Sequence, residues 1–489
     1  MTFGDLRALL QRPGPVAWRH LTDLVNAWPD PHERDEVILP YCLDHLARWP
    51  DPLRAASSEW LTAAIRGAPP PALSLCATLS IHADQVQARE PDALLDLDLP
   101  ALRHLSVQTW ALGVKRMRRL LDAPLTARLT RLDLYGLRLR EPEWLMLLAW
   151  PRLQELSHLG LERCRLTPAH EVREAAGAGA LVLLSRLLSL DLPALTSLNL
   201  RDNQLREDDL DALASARATA NLRTLLLGAR PADPSHADRH AFYNRAGVHG
   251  IHALATGPSL ARLEALELSY HQLDDAALRP LLDAPPRALK RLDLHLNHLK
   301  SPAGLALAAS ALLPQLEALD LSGNPIGANA VTALLTADAP HLRHLRLSRT
   351  SPGRAGLKAL LASKHLATLT HLHIADDDLI TAQLIQLIAA CPQLQHLNLS
   401  RNVTNIEPAT IDALLSCRAL RTVQLGTCDE AHAQRLMDAV DALPDLERVS
   451  FAATSSNNAP APSGPRPWLR DRLPASRAQH FLSLSEPML

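Results

Sequence analysis

The segment Leu316-Glu317-Ala318-Leu319-Asp320-Leu321-Ser322-Gly323-Asn324-Pro325-Ile326 fits the pattern LxxLxLxxNxL without a mismatch. The stretches starting at Leu195 and Leu289 fit it as well, ending at Leu205 and Leu299. The paired leucines enclose one polar residue, which describes a short strand with a single buried face. The asparagine falls where the chain leaves that strand, and its amide can satisfy backbone groups of a neighbouring coil. Sliding the pattern along the chain places its first position at Cys76, Leu102, Leu129, Leu156, Leu195, Leu222, Leu263, Leu289, Leu316, Leu342, Leu369, Leu394, Leu420 and Leu446. That makes 14 repeats, at intervals of 25 to 27 residues apart from one of 39 and one of 41. A fixed period in this range is the signature of a stacked repeat architecture.

The asparagine position holds Asn203, Asn297, Asn324 and Asn402, but Trp110, Leu137, Cys164, Arg230, His271, Thr350, Asp377 and Cys428 in other coils. A looser ladder is expected there. After the strand comes a helical segment such as 274–282, with Asp274 and Asp275 at its start and Leu278, Leu281 and Leu282 on one face. Strands stack about 4.8 Å apart whereas helices need about 8–10 Å, so the stack must curve with its strands inside. The repeat resembles the ribonuclease-inhibitor-like class of leucine-rich-repeat proteins over roughly residues 72–455. The resemblance implies an α/β solenoid, a horseshoe with a parallel concave sheet and convex helices. It also implies a protein that binds another protein and does not catalyse a reaction.

Composition agrees with thin repeated layers. Hydrophobic residues make up 47% of the 489 but aromatics only 3%, so the core is aliphatic. The net charge of -2 supplies no field for nucleic acid or membrane binding. The basic turn Lys115–Arg119 reads as a solvated helix face. Arginine provides 45 of the 50 basic residues, the mark of a GC-rich bacterial genome. No secretory leader and no membrane-spanning run is read from the sequence. The six cysteines are scattered without a CxxC pair, which points to reduced thiols and a cytoplasmic location.

Three regions break the period. Residues 1–70 hold Trp18, Trp28, Trp49 and Trp60 among helix-like runs, and are expected to form an N-terminal helical cap. Within it, Tyr41–Pro52 distantly resembles the helical companion domains ahead of some bacterial repeat arrays. The 39-residue interval reads as a lengthened convex helix, because its lone Gly177-Ala-Gly179 is no nucleotide fingerprint. The 41-residue interval carries an excess over 231–245 that leaves the rim of the sheet. Its Arg239, Phe242, Tyr243 and Arg245 are residue types favoured at interfaces. The repeats, 71–455, are followed by a Pro- and Ser-rich tail, 456–489.

The register names the outward-facing strand residues. The column between the two strand leucines reads Ser80, Ser106, Asp133, Gly160, Asn199, Leu226, Glu267, Asp293, Asp320, Arg346, His373, Asn398, Gln424 and Ser450. Glu267, Asp293 and Asp320 are consecutive, so three carboxylates lie about 5 Å apart. Either they form a solvated stripe compensated by a cation such as Arg291, or they receive a basic side chain from a partner. Tyr135 and His295, two residues beyond Asp133 and Asp293, extend this surface. The preceding column holds His344, His371 and His396, with His373 beside them; converging imidazoles could hold zinc, but a straight row does not converge. The following column is small: Ser322, Ser348, Ala375, Ser400 and Gly426.

No GxxxxGK[ST] loop, GxSxG elbow or HExxH motif is present. Some bacterial leucine-rich-repeat proteins are ubiquitin ligases with a separate domain after the repeats, and fewer than 40 residues follow the last repeat here. The expectation is a scaffold or regulator that uses its concave face and the 231–245 loop to bind an unidentified protein, without a cofactor. The alternative is a metal-dependent role on the histidine column, or a GTPase-regulating role through Arg230, Arg239 or Arg245.

Overall fold

The computed structural model describes residues 3–82, 92–108, 112–137, 139–166, 182–229, 243–375, 377, 379–400, 402, 407–427, 435–436, 443, 446 and 448–452. The core of the rim insertion, with Arg230, Arg239 and Phe242, and the 456–489 tail lie outside them. The chain forms two compact units. One comprises 1–205, 212–244 and 258–260; the other comprises 206–211, 245–257 and 261–489.

In the first unit, β1 (Thr78–Ile81), β2 (His104–Gln108), β3 (Arg131–Tyr135), β4 (His158–Gly160), β5 (Ser197–Asn199) and β6 (Thr224–Leu226) pair in parallel, each with the next. The second unit pairs β7 (Ala265–Glu267), β8 (Arg291–Asp293), β9 (Ala318–Asp320), β10 (His344–Arg346), β11 (His371–His373), β12 (His396–Asn398), β13 (Thr422–Thr427) and β14 (Arg448–Ala452) in the same way. Every strand starts two residues after the first position of its LxxLxLxxNxL motif. The partner pairs reproduce the expected columns, for example Asp293↔Asp320 and Arg346↔His373.

Parallel pairing requires a crossover, and short helices supply it. The helix Asp275–Asp283 buries Ala277, Leu278, Leu281 and Leu282, while its N-cap Asp274 accepts from Ala277 N at 2.9 Å. The inward strand leucines Leu319, Leu345, Leu372 and Leu397 are all buried against such helices. Each contributes about 2 kcal/mol of burial. Stability in such a stack is the sum of coils and coil–coil interfaces.

Four N-terminal helices, Phe3–Leu10, Pro15–Asn26, Leu39–Leu46 and Ser58–Ile65, precede the first strand. Trp18 and Trp49 are buried among them and donate to Ala55 O at 3.2 Å and Leu10 O at 3.1 Å. Ala55 bridges Thr78, so this region meets the edge of β1.

The asparagine ladder is tighter than its sequence suggests. Asn297 accepts from Leu273 N at 3.0 Å and donates to Leu268 O and Leu294 O at 2.9 and 2.8 Å. Where asparagine is missing, other side chains take over part of this work. Asp377 accepts from Arg349 N and Thr350 N, His271 Nδ1 accepts from Ala246 N, and the Cys164 thiol donates to Leu134 O. In the long coil the ladder position is held by Asn244, whereas the spacing predicts Arg230, which lies outside the described residues. Asn244 Oδ1 accepts from Asn203 N at 3.1 Å and Leu205 N at 2.8 Å, and its Nδ2 donates to Leu200 O and Leu227 O. The insertion therefore separates β6 from its own ladder residue.

Candidate functional site

The strand-borne face of the second unit is built from one repeating local device. A central-column Asp or Asn accepts, through Oδ1, the backbone N–H two residues on. Asp293 takes His295 N at 2.9 Å, Asp320 takes Ser322 N at 2.8 Å, and Asn398 takes Ser400 N at 3.0 Å. The same bond joins Asn199 to Arg201 N at 3.1 Å in the first unit. At these four strands the central polar side chain is held in one orientation.

Glu267, Asp293 and Asp320 stand side by side as expected, but they do not form a solvated stripe. They are only 3%, 6% and 3% exposed. Nor does the expected Arg291 compensate them: among the described residues the ion pairs are His295 Nδ1 to Asp293 Oδ1 at 2.8 Å and Arg346 Nη1 to Asp320 Oδ2 at 3.6 Å. Burial pulls the Asp293 carboxyl upward, yet His295 outweighs it and holds it below the ordinary carboxylate range. Burial and the neighbouring Asp293 charge push the Asp320 carboxyl up. For His295, burial favours the neutral ring, but the surrounding carboxylates prevail and raise it to about 9. The ligand atoms of Asp293, His295 and Asp320 all lie within 4.8 Å of one another.

The histidine column forms a stack. Ring centroids are 3.8 Å apart for His344 and His371 and 4.0 Å for His371 and His396. Nδ1 of His371 and of His396 is engaged by the hydroxyls of Thr370 and Thr422 at 2.9 and 2.8 Å. Stacked rings point their nitrogens in a row, and the three do not converge on a point as metal ligands would. Burial, then Arg346 and the neighbouring rings, lowers His344 to about 4. Burial and the two flanking histidines lower His371 to about 3. His373 is depressed as well, through burial and Arg346. Arg346, His373 and Asn398 are half-buried, as are Ser348 and Ser400 beside them.

In the first unit, Asp133 is clamped between two histidines that the column reading did not bring together. Its Oδ2 meets His104 Nε2 at 2.6 Å and its Oδ1 meets His158 Nε2 at 2.9 Å, while His158 Nδ1 reaches Ser197 Oγ at 2.8 Å. Burial would raise the Asp133 carboxyl, but the two histidine hydrogen bonds hold it well below the usual range. Gly160 makes this possible, because a Cβ there would overlap the Asp133 carboxylate. The Tyr135 hydroxyl accepts from Arg163 Nη1 at 3.1 Å. Ser197, His158 and Asp133 thus form a hydrogen-bonded chain on three neighbouring strands, with Ser197 N bound to Ser157 O.

Of the rim residues, Tyr243 is half-buried and Arg245 exposed. Arg239 and Phe242, and the Arg230 of the GTPase-regulating alternative, fall outside the described residues. Cys42, Cys76, Cys164, Cys391 and Cys417 are free and buried. Burial pushes the Cys42 and Cys391 thiols up to about 12, so they are poor nucleophiles. Among the described residues no helix is long and apolar enough to cross a membrane.

A family model described as Leucine Rich repeat matches residues 192–214 and 314–335. The chain is similar in structure to an internalin from Listeria monocytogenes at 17% identity and a TM-score of 0.31, covering 81% of this chain and 94% of that one. It is also similar to a structure of the Rad7 and Elc1 complex in yeast, at 14% identity, coverage of 76% and 78%, and a TM-score of 0.44. A TLR13–ssRNA13 complex matches at 20% identity, coverage of 72% and 43%, and a TM-score of 0.34. With its strands opening two residues into each LxxLxLxxNxL motif and the repeat model matching in two separate coils, this chain has the α/β leucine-rich-repeat fold.

Proposed function

We propose that this protein binds another protein, without catalysis, through the strand-borne face of its second unit. The observation that carries the reading is the row Arg346, His373 and Asn398 on consecutive strands, in register and half-buried, flanked by small Ser348 and Ser400. Such a row is an extended polar surface, which suits a macromolecule better than a small ligand. Preorganisation of Asn398 by its Oδ1 bond to Ser400 N lowers the ordering cost of association. Glu267, Asp293, His295 and Asp320 belong to this surface as its recessed acidic part. Asp133 and Tyr135 in the first unit and the rim residues Arg239, Phe242, Tyr243 and Arg245 extend the proposal. The free, buried thiols favour a cytosolic setting, and the arginine-rich composition favours a bacterial one. Helices of eight to ten residues between strands support the ribonuclease-inhibitor-like class.

The test is quantitative affinity purification from the native organism, comparing the natural chain with His373→Glu/Asn398→Arg. A partner retained by the first and lost by the second, with unchanged circular dichroism, supports the reading. Retention of every partner by the folded double variant overturns it.

A further inference from the structure

Arg291 stands in the column that continues into the histidine stack. Its neighbours in register are Ala265 on β7 and Ala318 on β9, and beyond Ala318 come His344, His371 and His396. Neither alanine can offer the guanidinium an acceptor. Asp293, two residues on along the same strand, is turned to His295 instead. Among the described residues the Arg291 guanidinium makes no hydrogen bond or ion pair, and its Nε is buried without an acceptor. The residue as a whole is half-buried, so its head is drawn partly out of water yet can still be met from the face. A buried N–H without an acceptor is costly unless something meets it.

His344, the first ring of the stack, shares this condition. His371 and His396 engage Thr370 and Thr422 through Nδ1, whereas among the described residues neither ring nitrogen of His344 makes a hydrogen bond. Packing against His371 holds the ring in place. Burial, then Arg346 on its own strand, His396 on β12 and Arg291 on β8 favour its neutral form, as does His371 on β11 stacked beside it. Glu317, just before β9, opposes them but is held by Lys290 at 3.1 Å, and Asp320 on β9 is turned to Arg346. Arg291 and His344 are two strand spacings apart, about 10 Å, with the single methyl of Ala318 between them. One group entering from the face can meet both heads.

An anion supplies what both side chains lack. A guanidinium presents its N–H donors in a planar fork that matches a carboxylate, and partial withdrawal from water strengthens the attraction. A carboxylate beside the imidazole favours its protonated form, which then donates a hydrogen bond of its own. The position lies on the same face as Arg346, His373 and Asn398, which makes the bound protein the source of that carboxylate; the inference rests on the protein-binding reading in this respect. We propose that Arg291 and His344 together receive an Asp or Glu side chain of the partner protein, with His344 taking up a solvent proton as the carboxylate arrives. Unbound, His344 is held near 4 and is neutral at pH 7.5. The carboxylate raises that value, so affinity increases as pH falls toward it.

The probe is a capped Asp-Gly-Asp-Gly-Asp peptide, with an Asn-Gly-Asn-Gly-Asn peptide as its uncharged control. Each is titrated into the full chain and followed by NMR of the histidine rings. The expected result is saturable binding of the acidic peptide alone, at least about threefold tighter at pH 5.5 than at pH 7.5. Arg291→Met should weaken it at least about 10-fold, and His344→Phe should remove the pH dependence. Arg354→Met, at an exposed position on the helix Gly353–Leu361, should change nothing. Circular dichroism checks folding. If the site variants do not fold, proton uptake by the natural chain decides, read from the heat of binding in buffers of different ionisation enthalpy. The proposal is overturned if both peptides bind alike, if folded Arg291→Met binds as tightly as the natural chain, or if binding takes up no proton. Loss of the native partner by His373→Glu/Asn398→Arg, with both peptides binding alike, overturns this inference alone. Retention of every partner by that variant, with the acidic peptide bound as expected, overturns the protein-binding reading and upholds the carboxylate site.

Discussion

Asn244→Ala removes one side chain that is 1% exposed and makes four backbone hydrogen bonds. Without it, Asn203 N and Leu205 N lose their acceptor, and Leu200 O and Leu227 O lose a donor. At roughly 1 kcal/mol for each buried group left without a partner, the loss is about 4 kcal/mol. For units of this size that corresponds to a fall in Tm of about 8–16 °C, read by far-UV circular dichroism. Asn244→Asp is the sharper variant. It keeps the acceptor for both amides but turns the second atom from a donor to two carbonyls into another acceptor. Its carboxyl is therefore pushed upward in the folded state relative to about 3.9 unfolded, and the folded chain holds the proton to higher pH. Stability of this variant should rise as pH falls through that raised value, whereas Asn244→Ala shows no such gain. A loss below about 1 kcal/mol in Asn244→Ala, or a loss no larger than that from truncating the exposed Arg245, would refute the ladder assignment.

The histidine stack makes stability acid-sensitive. With His344 near 4 and His371 near 3 against 6.5 unfolded, the unfolded chain binds more protons across that window, so the urea midpoint should fall as pH drops from 6.5 toward 4. His371→Phe preserves a flat ring and should flatten that dependence; an unchanged profile counts against the stack as its source. Leu296 carries φ 51 where the next coil has Gly323 at φ 71, so Leu296→Gly relieves left-handed strain and should stabilise by about 1 kcal/mol in chemical denaturation. A destabilised Leu296→Gly would mean that its side chain contributes more than its strain costs. Gly160→Ala should expel the Asp133 carboxylate from His158, raising the Asp133 pKa toward its ordinary value in an NMR titration; an unchanged titration would show that the clamp adapts.

The strands and their register were legible because one pattern governs both. A leucine two residues from another fixes which face is buried, and a slip of one residue would turn every leucine outward. That logic placed the strand beginning at Thr78 and the one beginning at Arg448 equally well, although their motifs start from Cys76 and Leu446. It failed at Asn244, because counting eight residues from Leu222 assumes that the turn after the strand is intact, and here the extra residues fall inside that turn. The signal was present: Asn244 lies 41 residues after Asn203, the length of the long interval itself.

Chemistry between columns was less legible than the columns. A column lists side chains on one line, yet Asp133 reaches diagonally to His104 and His158, and its path past β4 exists because position 160 has no side chain. The acidic row shows the same limit. Three consecutive carboxylates read as an exposed stripe, since charges ordinarily stay in water. The amide two residues on folds each aspartate back onto its own strand end, and His295 and Arg346 close over the pair from neighbouring positions. What looked like an exposed stripe is thereby a recessed, partly compensated acidic row. The His373/Asn398 variant therefore probes the half-buried part of the face and leaves the recessed acidic row as it is.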